Sequence, residues 1–331
     1  MRYCLAMTKS TPKGCGRQRS QMPLRSALAP AVALACAGAA VAGGPPGAHA
    51  QLAGDARLYE APRVPAAPVI DGDLDEEAWR AAPWTESFVD IRGESWPTPQ
   101  WTTRARLAWD ECCLYVAAEL EEPHLWATLT DRDAIIYRDH DFEVFLDPDG
   151  DGLEYYELEI NALGTEFDLF LDKPYRSGGS AHIAWDMEGL RTAVRLDGTM
   201  NDPSDEDRGW TVEIAIPWAA LRPPDGIAAG PEAVPDNARP GGESPDAGSR
   251  EPGTAPNPGD EWRVNFSRVQ WPLVIEDGGY RKAREPVDWS DHPEDNWVWS
   301  PQGEIDMHLP EKWGVVRFVE GAPDNVEGVP E

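Results

Sequence analysis

The sequence predicts an all-β fold, a β-sandwich of antiparallel strands with one short helix. Three observations lead there. Many short segments alternate apolar and polar residues, as a half-buried strand does. Turn residues separate them at fairly even spacing, and helical periodicity is scarce.

The elements follow in order. "DEEAWRAA" (Asp75 to Ala82) is the short helix, with Asp75 as its cap. "ARLAWD" (Ala105 to Asp110) and "CLYVAAEL" (Cys113 to Leu120) are strands joined by a turn. "DFEVFLD" (Asp141 to Asp147), "YYELEIN" (Tyr155 to Asn161) and "EFDLFLD" (Glu166 to Asp172) come next. "GLRTAVRLDG" (Gly189 to Gly198), "GWTVEIAIPW" (Gly209 to Trp218), "EWRVNFSRVQW" (Glu261 to Trp271) and "WGVVRFVE" (Trp313 to Glu320) complete the strands. "PWAAL" from Pro217 is a single helical turn. Residues 222–260 are rich in Pro, Gly, Ala and Asp and nearly free of large apolar side chains. Such a segment cannot bury enough surface to order itself, so it reads as a disordered loop inserted in one sandwich. The expected organisation is a signal peptide over 1–50, a tail over 51–67, the sandwich over 68–320 and a tail over 321–331.

The leader rests on charge and pattern. Residues 1–50 carry six Lys and Arg and no Asp or Glu, an Ala-rich apolar run, and Ala48-His49-Ala50. That is the layout of a secretory signal, and translation from Met22 would also give a complete one. A lipoprotein signal ending at Cys36 is the lesser alternative, because Ala33-Leu34-Ala35 is a poor lipobox. Cleavage would take the formal charge from −30 to about −36. Such a chain repels phosphate backbones, which argues against nucleic acid, and no other apolar run is long enough to span a membrane. The expected location is secreted or periplasmic. The adjacent pair Cys112-Cys113 reads as a strand start with one thiol buried, not as a disulfide or zinc site.

The hairpin around "DPDGDG" carries most of the chemistry. Phe142, Val144 and Leu146 share one face with Tyr156, Leu158 and Ile160, and that face is core. The other bears Asp141, Glu143, Phe145, Tyr155, Glu157, Glu159 and Asn161. Two accounts fit it, a solvated outer face and a polar binding face. Asp147, Asp149 and Asp151 sit at the first ligand positions of a calcium loop, with Gly152 at the sharp turn. Leu158 stands where a bidentate Glu would close such a loop. The turn therefore reads as a hairpin loop able to hold a structural Ca²⁺.

Tryptophan adds a second signal. Trp79, Trp109, Trp210, Trp218 and Trp313 fall in element patterns and are expected inside. Trp96, Trp101, Trp126, Trp185, Trp271, Trp289, Trp297 and Trp299 lie in polar, loop-like surroundings. Exposed indoles invite a covering ligand such as a sugar ring, although each could also cap a sandwich end.

Four segments in order resemble carbohydrate-binding module family 9 and its stand-alone bacterial relatives. They are "VIDGDLDEEAW", "DFEVFLDPDGDGLEYYELEINALGT", "GWTVEIAIPWAAL", and "NWVWSPQG" with "EKWGVVRF". The likeness runs from roughly Pro68 to Glu320, outside the insertion. It implies a sandwich that binds sugar between two aromatic rings and carries structural calcium. Glu143 matches the family's strand Glu. Tyr137 stands where the best-known sugar binders have Trp, and Trp297 or the nearby Trp299 matches the late-loop Trp. Glu159 replaces an Arg, and Ser267 replaces a Gln.

On these grounds the expected activity is saccharide binding without chemistry, with Tyr137 and Trp297 stacking and Glu143 and Asn161 bonding hydroxyls. The partner would be an oligo- or polysaccharide, alongside secreted glycoside hydrolases or a sugar uptake system. A glycoside hydrolase using Glu143 with Glu159, or Asp139 with Asp141, is the alternative. A haem-binding sandwich with Met187, Met200 or Met307 as axial ligand is a second one. Serine-hydrolase, zinc-protease, P-loop and dinucleotide signatures are absent.

Overall fold

A computed structural model of the chain describes residues 56–224, 251–288 and 290–321. It contains β1 (Leu58–Pro62), α1 (Glu77–Ala81), β2 (Val89–Asp90), β3 (Thr103–Trp109), β4 (Cys113–Glu121) and β5 (Asp141–Asp147). Then come β6 (Tyr155–Asn161), β7 (Glu166–Leu171), β8 (Ala181–His182), β9 (Arg191–Asp197) and β10 (Gly209–Pro217). The last are β11 (Glu261–Gln270), β12 (Leu273–Glu276), β13 (Gly279–Lys282), β14 (Asp295–Val298) and β15 (Gly314–Val319).

Nine strands form one sheet in the order β1-β15-β11-β5-β6-β7-β8, with β14 pairing β11 and β2 pairing β14. A four-stranded sheet, β3-β4-β10-β9, packs against it, and β12 and β13 form a separate hairpin. The ladders are antiparallel except β1 beside β15, which is parallel. This is the expected all-β sandwich. The sheet begins at Leu58, earlier than the tail drawn over 51–67. Residues 225–250 of the insertion, the leader and the last ten residues lie outside the described residues.

The main core lies between the sheets. Phe142, Val144, Leu158, Ile160, Val264 and Phe266 meet Leu107, Val116, Val212 and Ile214. Phe142 and Phe266 stack at 5.7 Å. Each such ring contributes on the order of 1.5–3 kcal/mol by burial. Trp299 lies against Gly314, where an added Cβ would run into the indole.

The outer side of the small sheet is closed by α1. Trp79 packs there on Tyr115, Ala117 and Ala215. Its Nε1 donates to Glu213 Oε1 at 2.5 Å, and Glu213 Oε2 accepts from the Asp71 and Gly72 amides at 2.8 and 2.6 Å. The "IDGDLDEEAW" stretch is therefore pinned by one strand carboxylate, and Gly72 turns there with φ of 91°. The helix starts later than expected. Glu76, not Asp75, occupies the cap position, and no side chain caps it. Cys112 is exposed and Cys113 buried.

One end of the sandwich holds a buried polar network. The Arg268 guanidinium reaches Glu122 at 2.8 Å, Gln270 at 2.8 and 3.0 Å, Thr103 at 2.9 Å and the Glu121 carbonyl at 2.9 Å. Trp297 lies under it, with 5.0 Å from guanidinium to ring. Burial raises the Glu122 carboxyl, but His140 and Arg268 outweigh that and hold it down at about 2.

Candidate ligand-binding face

Strand register assembles the site. Ser267 pairs Glu143, Glu143 pairs Glu159, and Glu159 pairs Phe167, giving one row across β11, β5, β6 and β7. The next row holds Asn265, Phe145, Glu157 and Leu169. Period two turns all of them away from the main core. The face is not an ordinary solvated one. Ile91, Ile136, Phe145, Tyr155, Phe167, Leu169, Val298, Met307 and Trp313 form a second apolar cluster on it.

Beside that cluster sits a carboxylate patch. Asp141, Glu143, Glu157 and Glu159 are all buried. Asp141 Oδ1 accepts from the Val269 amide at 3.1 Å, while Oδ2 has no hydrogen-bond partner. Glu159 Oε2 accepts from the Tyr137 amide at 2.8 Å. Ser267 Oγ donates to Asn296 Oδ1 at 2.9 Å and adjoins the Glu143 carboxylate. Burial pushes Glu143 up to about 7, with Glu294 adding to it and Ser267 opposing. Burial first, then mutual repulsion, drives Asp141, Glu157 and Glu159 well above the ordinary carboxylate range.

Two tyrosines edge the patch. Tyr137, on a single 3-10 turn (Ile136–Arg138), is 43% exposed, and Tyr175 is 48% exposed. Burial, then Glu157, Glu159 and Tyr137, push the Tyr175 hydroxyl up to about 12. Its ring meets His308 edge-on at 4.5 Å.

The structure thus brings Tyr137, Glu143, Glu159 and Ser267 together. Asn161 is on the same face, but its amide is taken up by the fold. Nδ2 donates to the Leu129 carbonyl and Asp139 Oδ2, and Oδ1 accepts from the Leu163 and Thr165 amides. Asp139 also holds the Thr128 and Leu129 amides, so it is a loop bracket. Trp297 and Trp299 correct the sequence expectation. Both are buried in the main core, on the opposite side of the sheet from Glu143. Trp297 pairs Arg268 across β14 and β11, so it shares the inward face of Arg268. Trp126 and Trp271 are buried as well, and Trp289 lies outside the described residues. Among the described tryptophans Trp96 is the exposed one, at 46%, with Arg92 over its ring at 3.5 Å. Met187 and Met307 are buried inside apolar clusters, where they fill core space.

Glu157 and Tyr175 join the site without having been singled out, and Asp141 joins it having been named only as one of a possible hydrolase pair. Asp141 and Glu157 were legible as members of the outer face. Tyr175 sits in the loop "KPYRSGG", which has no periodicity to place it.

The β5–β6 turn forms a second acidic group. Asp147 is buried and accepts from the Gly150 and Gly152 amides, each at 2.9 Å. One carboxylate oxygen each of Asp147, Asp149 and Asp151 lies within 4.8 Å of the others. Burial, then Asp149, raise Asp151 to about 6. Hard oxygen donors at this separation suit Ca²⁺. In the third acidic group, Asp133, Asp168 and Asp186, Arg132 already pairs with the carboxylates.

A family model described as carbohydrate family 9 binding domain-like matches residues 70–241. The chain belongs to this family. Endo-1,4-beta-xylanase A of Thermoanaerobacterium saccharolyticum is 26% identical over 163 residues, 49% of this chain. Exoglucanase XynX of Acetivibrio thermocellus is 26% identical over 154 residues, 46% of this chain. The match spans 12% of the length of each of these relatives. A candidate carbohydrate-binding protein from Bacteroides uniformis has the same fold, with TM-score 0.51 at 15% identity, covering 80% of this chain and 99% of that one. Family 9 membership accounts for the sandwich and for the order of the first three sequence segments, which lie within or at the edge of the matched residues. Among the described residues, no helix is long and apolar enough to cross a membrane.

Proposed function

We propose that the chain is an exported carbohydrate-binding protein that holds a saccharide on the outer face of the nine-stranded sheet. The observation that carries this is the pair of half-exposed tyrosines, Tyr137 and Tyr175, beside the buried acceptors Glu143 and Glu159. A sugar ring offers an apolar C–H face to an aromatic side chain and hydroxyl donors to a carboxylate. Ser267 and Asn296 add a hydroxyl and an amide at the same place. Family membership supports this ligand class, and the xylanase and exoglucanase relatives suggest β-1,4-linked xylose and glucose chains as first probes. Tyr175 takes the stacking role that the sequence alone gave to Trp297. Calcium at the Asp147–Asp149–Asp151 turn would brace the β5–β6 hairpin behind the face. The leader pattern over residues 1–50 supports export, and secreted glycoside hydrolases or a sugar uptake system are the partners that fit. The test is a titration with cello- and xylo-oligosaccharides in calcium, followed by intrinsic fluorescence. A saturable response to one series supports the reading, and a flat response to both contradicts it.

A further inference from the structure

Apart from Asp147 in the β5–β6 turn, which has only backbone amides as partners, several buried carboxylates elsewhere in the described residues are compensated. Glu122 faces Arg268, Asp168 faces Arg132, Asp90 faces Arg92, and Glu213 accepts from Trp79 and two backbone amides. The outer-face group differs. Asp141, Glu143 and Glu159 are buried, and one oxygen from each lies within 4.8 Å of the others. Their acidic neighbours are Asp139, Glu157, Glu294 and one another, and Arg268, which also acts on Asp141, is hydrogen-bonded to Glu122. A second, separate observation is Asp141 Oδ2, fully enclosed and without a hydrogen-bond partner. Buried charges are stable when paired or bound to metal.

The spacing selects the occupant. Calcium sits about 2.4 Å from its oxygen ligands, so ligand oxygens around one ion lie within roughly 4.8 Å of each other. The three carboxylates meet that limit and are all hard oxygen donors. We propose that Asp141, Glu143 and Glu159 bind a divalent cation of the calcium class in the floor of this face, apart from the β5–β6 turn. The three side chains leave part of a coordination shell of six to eight oxygens for other donors. Hydroxyls of a bound saccharide fill it, a role that rests on the saccharide reading, whereas cation binding stands on the protein residues alone.

The experiment is calorimetric titration of the chelator-stripped full chain with CaCl₂ at pH 7.5. Two double variants accompany it, Glu143→Gln with Glu159→Gln in the floor, and Asp149→Asn with Asp151→Asn in the turn. The expected result is that the floor variant loses one calcium, or binds it at least tenfold more weakly, while the turn variant retains that site. Calcium binding by the floor variant identical to wild type overturns the proposal, and so does a wild type whose whole calcium uptake disappears in the turn variant. The amides remove repulsion, so the floor variant should melt no lower than wild type in EDTA. The single variant Asp141→Asn supplies the same readout should the double variant fail to fold. A second arm titrates the oligosaccharides with and without calcium. Binding that is equal in EDTA overturns the bridging role, and absence of sugar binding in both conditions overturns the saccharide reading while the ion stoichiometry still stands or falls by itself.

Discussion

His308 ties the rim of the face to pH. Its Nδ1 is 3.0 Å from the Tyr155 hydroxyl, and its ring packs against Tyr175 at 4.5 Å and Phe145 at 6.0 Å. Burial lowers its pKa to about 4, with Asp306 opposing. In the unfolded chain the imidazole titrates near 6.5. Between those values the unfolded chain binds the proton and the native state does not, so stability is lost as pH falls from 6.5 toward 4. At pH 4.5 the full shift corresponds to about 2.5 kcal/mol. The ring keeps some exposed area, so about 1.5–2.5 kcal/mol is expected, or roughly 3–10 °C in Tm for a domain of this size. Other groups titrate too, so the readout is a difference. His308→Gln keeps an acceptor for Tyr155 but carries no titrating ring. Thermal melts of both proteins from pH 7.5 to 4.5 should show the wild type losing Tm relative to the variant as the pH drops. A constant difference across that range would refute the assignment of a buried neutral imidazole.

The other perturbations act on packing and charge. Arg268→Ala leaves buried Glu122 with only His140 and a backbone amide as partners and should cost about 3–5 kcal/mol, read by urea unfolding. Gly314→Ala drives a methyl into Trp299 and should cost about 1–3 kcal/mol with unchanged secondary structure by circular dichroism. Trp297→Ala empties a core position and should lower stability by about 3–5 kcal/mol, as measured by urea unfolding. A Trp297→Ala protein as stable as wild type would return that indole to the surface.

The sequence showed the sandwich through alternation, and the β5–β6 hairpin is the clearest case. Its two faces follow from period two alone, and Glu143 opposite Glu159 follows from the six-residue register about the turn. The short edge strand β8 and the separate hairpin β12–β13 were not legible, because two to four partly exposed residues carry no pattern. β1 was missed for another reason. It joins the sheet beside β15, more than 250 residues away in sequence, and nothing local announces that pairing. Trp297 was misplaced because "DNWV" looks like a loop until it pairs with β11. Once it does, Trp297 must share the face of Arg268, one residue out of phase with the outward Ser267. Tyr175 came into the site through a turn whose conformation depends on tertiary contacts, among them the His308 ring.

The most direct measurement compares oligosaccharide affinity in the wild type and in Tyr137→Ala, Tyr175→Ala and the double variant, in calcium, with Tm recorded for each. Both rings stand at the surface, so the folds should melt close to wild type. The account predicts a loss of about tenfold for each single change and more for the double, consistent with about 1–1.5 kcal/mol per stacked ring. Undiminished affinity in the double variant would contradict it and place the ligand on another face of the sandwich.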